Sequence, residues 1–199
     1  MKLRPAIFCV LFVMLAASGC LFSPDEGGGG GEDPVDDHVF PDTADKLVAN
    51  FDRYYSERNL ERYREVLSDD YRFIAQDGSE YNFDREIDVA NKMFNEIEGQ
   101  DGIAFSDITV EYLQPQGTWQ PTPEDDPYFG GFSGSLKRPY DVFISFKVSG
   151  QALTYEVKGL VVFYVTKREV EVDGAMVDMY ELLGQQDETQ GGGKALALN

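Results

Sequence analysis

Tyr140-Asp141-Val142-Phe143-Ile144-Ser145-Phe146-Lys147-Val148-Ser149-Gly150-Gln151-Ala152-Leu153-Thr154-Tyr155-Glu156-Val157-Lys158 reads as two strands and the turn between them. Tyr140, Val142, Ile144, Phe146 and Val148 occupy every second position, and Leu153, Tyr155 and Val157 alternate with Thr154, Glu156 and Lys158. Successive side chains of a strand point to opposite faces, so this alternation builds one apolar face and one polar face. Gly150-Gln151 supplies the reversal that makes the pair a hairpin. The second strand runs on to about Lys167, and between Leu160 and Tyr164 it is apolar on both faces: Leu160, Val162 and Tyr164 point away from Val161, Phe163 and Val165. A second apolar face needs a cover, which a loop, a bulge at Gly159 or another subunit could supply.

Toward the C-terminus, Asp173-Gly174 is a turn signal leading into a last strand through Tyr180 to Leu183, and residues 188–199 read as a disordered tail. Toward the N-terminus, Ile108, Val110 and Tyr112 alternate as a further strand. Between it and the hairpin lies Pro115–Lys137, which carries Trp119, Tyr128, Phe129 and Phe132 among prolines and acids. Loops of this length are uncommon inside compact domains and usually have work to do or lack order. Its aromatic content predicts that it covers apolar surface, either a cavity mouth or the second face of Leu160–Tyr164. Trp119 is the single tryptophan and is expected to report on this loop.

The period ahead of these strands is helical. After the caps Asp42 or Thr43, Ala44, Leu47, Val48, Phe51, Tyr54 and Tyr55 share one side of a helix; after Asn59, Leu60, Tyr63, Val66 and Leu67 form a shorter one ending at Ser68-Asp69-Asp70. Tyr71 to Ala75, the Asp77-Gly78 turn and Tyr81 to Phe83 read as strand, turn and strand. A third helix over about Asp84 to Ile97 presents Ile87, Ala90, Met93, Phe94 and Ile97, with Gly99 at its end.

This order of elements resembles the NTF2-like (SnoaL-like) superfamily. The local cues are Tyr55, the run Leu67-Ser68-Asp69-Asp70-Tyr71-Arg72-Phe73, Met93-Phe94 and the closing Tyr180-Glu181-Leu182. The resemblance implies an α+β cone over residues 42–187, with three N-terminal helices packed on a curved antiparallel sheet around a cavity. Dehydratase-like members pair a cavity histidine with a carboxylate, whereas the one histidine here, His38, precedes the first helix. Isomerase-like members use a carboxylate base with a tyrosine; Tyr54 or Tyr55 could stand for the tyrosine. No acid of the expected strands takes the base position, since Asp77 lies in a turn and Glu156 on the polar face. We therefore expect no catalytic residue, no cofactor and no metal site, and a ligand-binding set of Tyr55, Tyr71, Met93, Tyr155 and Trp119.

The formal charge of −19 argues against nucleic acid, whose phosphates are bound by clustered Lys and Arg. At the N-terminus Lys2 and Arg4 precede an apolar run that closes on Leu15-Ala16-Ala17-Ser18-Gly19-Cys20. This resembles a bacterial lipoprotein signal peptide over residues 1–19, which implies a membrane anchor through lipid on Cys20. Residues 20–41, with the glycines 27–31 among acids, read as the lipidated cysteine and a soluble spacer.

The expected protein is a membrane-tethered, non-catalytic lipoprotein of the cell envelope, facing the periplasm from the outer membrane if the cell is Gram-negative. Its domain would bind a small apolar ligand or an envelope protein. A lyase or isomerase working through a cavity tyrosine and carboxylate, and a structural subunit of an envelope assembly, stand as alternatives. A homodimer would form through the Leu160–Tyr164 strand. Cys20→Ser should abolish fatty-acid labelling and release the protein from the membrane fraction; undiminished label in the mutant would refute the anchor.

Overall fold

The computed structural model describes residues 39–99 and 101–188. The signal segment, Cys20, the spacer through His38 and the tail beyond residue 188 lie outside the described residues. Ahead of the first helix, the Asn50 side chain donates to the Val39 carbonyl at 2.6 Å, and the Tyr180 amide donates to the Pro41 carbonyl at 2.8 Å.

Among the described residues the order is α1 (Ala44–Ser56), α2 (Leu60–Glu65), β1 (Leu67–Ile74), β2 (Glu80–Asn82), α3 (Phe83–Phe94), β3 (Phe105–Pro115), β4 (Gln120–Pro121), β5 (Leu136–Val148), β6 (Thr154–Val172) and β7 (Ala175–Asp187). Each helix starts on a side chain that accepts from an otherwise orphaned amide: Thr43 from Lys46 N, Asn59 from Arg62 N and Asn82 from Arg85 N. The third helix stops at Phe94, short of the expected Ile97. Glu96 has φ 55°, which leaves the helical region, and Ile97 is exposed.

The strands form one mixed sheet in the order β2-β1-β7-β6-β5-β3, with β4 on β5. The class is α+β, as expected, but the sheet is not wholly antiparallel: β1 runs parallel to β7, Phe73 beside Gln185. The direction of β1 is set by the α1–α2 pair that delivers it rather than by a hairpin. The second helix also ends earlier than expected, because β1 already begins at Leu67; Asp69 and Asp70 are exposed strand residues where the β1–β7 register shifts. The β5–β6 hairpin holds Phe146 opposite Tyr155 and Ile144 opposite Val157. At the β6–β7 turn, Asp173 and Gly174 have φ 53° and 81°, the double left-handed geometry that a two-residue hairpin loop requires.

The two-faced stretch of β6 is buried on both sides. Val161, Phe163 and Val165 face the main core shared with the three helices, and Val162 and Tyr164 face a second cluster with Ile74, Phe129 and Leu183. The cover is the 115–137 loop. Its Phe129 is fully buried and stacks on Tyr164 with ring centroids 4.0 Å apart. Asp126 pins the loop: it accepts from Lys137 Nζ at 3.0 Å, from the Tyr128 and Phe129 amides and from the Tyr164 hydroxyl. Burial by itself would push the Asp126 carboxyl up, but the hydrogen bonds from Lys137 and the two amides, with the Lys137 charge, outweigh it and hold it below the ordinary value.

Gly184 makes the close approach of the loop feasible, since a Cβ there would collide with the Phe129 ring and the Arg72 carbonyl. Of the alternative covers, a bulge at Gly159 is not used, because the β5–β6 register runs through it unbroken. The bulge lies instead between β6 and β7, where Tyr164 faces Gly184 and Val165 faces Leu182. It turns Leu183 and Gly184 to the outer side together. The apolar face on which a dimer was expected is therefore covered by the chain's own loop.

Trp119 is not part of that cover. Its indole donates to Asp45 Oδ1 at 3.3 Å, and its ring lies 4.5 Å from the Arg138 guanidinium, on the core beside Tyr140. Phe129→Ala should destabilise the protein by about 3–5 kcal/mol, as removal of a fully buried ring does, read from urea unfolding followed by circular dichroism. A loss within the ordinary range of a surface substitution would show that the loop does not hold the outer face.

Candidate functional site

The main core is incompletely filled. Between the helices and the inner face of the sheet lies a cavity of about 820 Å³. Three patterns build it. On α1, Phe51 and Tyr55 are one turn apart; on α3, Glu86, Val89 and Met93 follow helical spacing. Across the sheet, Phe73, Gln185 and Phe163 stand side by side on β1, β7 and β6. Gly159, opposite Val142, adds no side chain and leaves room between the strands. The exposed members of the lining, Gln76, Asp77, Arg85 and Asp101, place the mouth between the β1–β2 turn, the start of α3 and the α3–β3 loop.

The polar centre of the cavity is Glu86, whose Oε1 accepts from the Tyr63 hydroxyl at 2.6 Å. Tyr55 packs against Tyr63 at 5.6 Å, with Phe94 edge-on to both, and its hydroxyl reaches Met93 Sδ at 3.8 Å. Burial pushes the Glu86 carboxyl above its ordinary 4.5, against the opposing effect of the Tyr63 hydrogen bond. Burial, then the nearby Glu86 charge, pushes the phenols of Tyr55, Tyr63 and Tyr71 well above theirs. At neutral pH these tyrosines are hydrogen-bond donors, not bases. Two buried polar atoms near this region have no partner among the described residues: the Tyr71 hydroxyl and Gln185 Nε2. Gln185 lines the cavity; an unpaired buried amide costs about 1–3 kcal/mol, which a bound acceptor would offset.

Of the expected binding set, Tyr55, Met93 and Tyr155 line the cavity. Tyr71 is buried behind the lining, and Trp119 lies apart from it on Arg138 and Tyr140. The expectation that no acid takes the base position concerns the strands alone; the acid inside the cavity, Glu86, comes from a helix. Its signal was present, because Glu86 shares a helical stripe with Ala90 and Met93, where a charged residue is out of place. Tyr63 read as an ordinary core position, and nothing local marked Gln185. Among the described residues no cluster of His, Cys, Asp and Glu is arranged to hold a metal ion.

No family model and no curated protein matches the chain. Solved structures do resemble it in shape. A protein provisionally named a scytalone dehydratase from Novosphingobium aromaticivorans has 9% identity and a TM-score of 0.49, over 74% of this chain and 81% of that one. An NTF2-like protein of unknown function from Rhodospirillum rubrum has 9% identity and a TM-score of 0.44, over 72% and 94%. A hexachlorocyclohexane dehydrochlorinase from Novosphingobium barchaimii has 10% identity and a TM-score of 0.45, over 73% and 82%. Likeness at this level carries nothing about chemistry.

The Glu86 shift gives a pH signature. The folded protein holds this proton more tightly than the unfolded chain, so its contribution to stability is full below about pH 4.5 and is lost as pH rises through the folded value. Glu86→Gln keeps an acceptor for Tyr63 and cannot ionise. The melting temperature of Glu86→Gln minus that of the wild type should therefore grow from about pH 4 to pH 7. A difference that is flat across this range would mean that Glu86 ionises as freely as in water.

Proposed function

We propose that the domain holds a small, largely apolar molecule in the cavity between α1–α3 and the inner face of the sheet. We propose further that it does so at a bacterial cell envelope, tethered through lipid on Cys20. The finer fold reading, a cone of the NTF2-like type, belongs to the same proposal and is supported by the order of helices and strands. One observation carries the functional reading: a cavity of about 820 Å³, within the usual size of small-molecule sites, lined mainly by apolar and aromatic side chains with Glu86 and the unpartnered Gln185 amide among them. Retention without turnover is the favoured form, because the three tyrosines around Glu86 keep their protons and leave its carboxyl as the one base among them.

A second reading, a lyase or isomerase, is favoured by that same carboxyl. Glu86 is bonded to a phenol inside an apolar cavity and is shifted toward neutrality, as a general base often is.

Native mass spectrometry of the protein purified from its own host in detergent should show a retained small molecule. Val157→Trp, which fills the cavity opposite Ile144, should lose it. Wild-type protein that carries no added mass would overturn the binding reading. Exchange of solvent deuterium into the released molecule by wild type, and not by Glu86→Gln, would establish the enzyme instead.

A further inference from the structure

We infer that the molecule held in the cavity is an organic cation, an apolar body carrying an ammonium or amidinium group that sits against the Glu86 carboxylate. This deepens the binding reading above and rests on it. The first ground is the state of Glu86. Among the described residues its carboxylate accepts one hydrogen bond, from Tyr63, and has no ion-pair partner. The neighbouring Arg85 does not neutralise it; its guanidinium stacks on the Tyr81 ring, 4.2 Å from the centroid. A carboxylate drawn into an apolar cavity is costly until a cation joins it. A ligand cation supplies the partner that the fold leaves out.

The second ground is the charge of the lining. Among the described residues its carboxylates are Asp77, Glu86, Asp101 and Asp187, and Arg85 is its one cationic side chain. An anionic ligand would meet repulsion at the mouth and on the floor, whereas a cation is drawn in by both. The net charge of −19 over the whole chain acts in the same direction at longer range.

The third ground is the wall. Among the described residues eight aromatic side chains line the cavity, with Tyr55 and Tyr63 beside Glu86, and Phe73 and Phe163 flanking Gln185 on the floor. Aromatic faces attract cations, most strongly where water is excluded. Rings beside the Glu86 carboxylate suit a lipophilic cation better than a neutral hydrocarbon, which would leave Glu86 without a cationic partner. The Gln185 amide can then donate to an acceptor on the body of the ligand.

The test uses three fluorescent probes of one shape: 1-pyrenemethylamine, 1-pyrenemethanol and 1-pyrenecarboxylate, titrated at neutral pH into the full-length protein in detergent. The wild type alone decides the ranking, so no variant has to fold for the idea to fail. The amine should bind about tenfold or more tighter than the alcohol, as a charge-assisted contact gives, and the carboxylate should bind weakest. Glu86→Gln should bring the amine to the level of the alcohol and leave the alcohol unchanged. An alcohol that binds as tightly as the amine, or an amine preference that survives Glu86→Gln, overturns the cation while the cavity remains a binding site. Failure of all three probes to bind overturns the cavity reading and the cation with it.

Discussion

The double burial of β6 is the constraint on which the rest of the structure depends. A strand with apolar side chains on both sides cannot lie on the surface of a two-layer fold. Here one side is met by the helices and the cavity, and the other by the 115–137 loop, whose Phe129 stacks on Tyr164. The loop can reach the sheet because Gly184 has no side chain and because Asp126 holds the loop backbone and Lys137 together. Large rings account for much of the apolar area in both clusters, and each contributes about 1.5–3 kcal/mol by leaving water.

The inner face is treated differently. It is not packed to capacity, although the residues around it could have filled it; Gly159 stands where a larger side chain would close the space opposite Val142. Open volume forgoes dispersion contacts, so a retained cavity of this size is a cost to stability. Placing Glu86 and the Gln185 amide in its wall adds to that cost. Both costs fall when a molecule of suitable shape and charge enters. The domain is thus closed on its outer side, where the loop covers the sheet, and open on its inner side, where the cavity lies.

Much of the fold was legible in local pattern. The alternation in β5 and β6 predicts the hairpin and the opposed faces of Val162 and Val161, and Asp173-Gly174 predicts the tight turn into β7. Thr43 and Asn59 mark helix starts through the amides they satisfy, whereas Asn82, which reads as part of a strand, caps the third helix. Two features were not legible. The parallel pairing of β1 with β7 joins segments at opposite ends of the domain, and no local signal states a strand's direction against a distant partner. The bulge at Leu183-Gly184 depends on what lies above it, and that is Phe129.

The candidate site divides in the same way. Tyr55, Met93 and Tyr155 were found because helical and strand spacing shows which side chains face inward. Trp119 was misplaced, since an aromatic loop residue reveals that it will be buried but not against which surface. Glu86 was legible in principle as the charged member of the stripe with Ala90 and Met93, but its meaning rests on Tyr63 arriving from another helix. The sequence by itself determined the elements, their inward faces and the acidity of the chain, because these follow from spacing of a few residues and from composition. The tertiary structure alone decided that the core holds a cavity and that Glu86 and Gln185 look into it. Unfilled volume is a property of how distant side chains meet, and no short-range pattern records it.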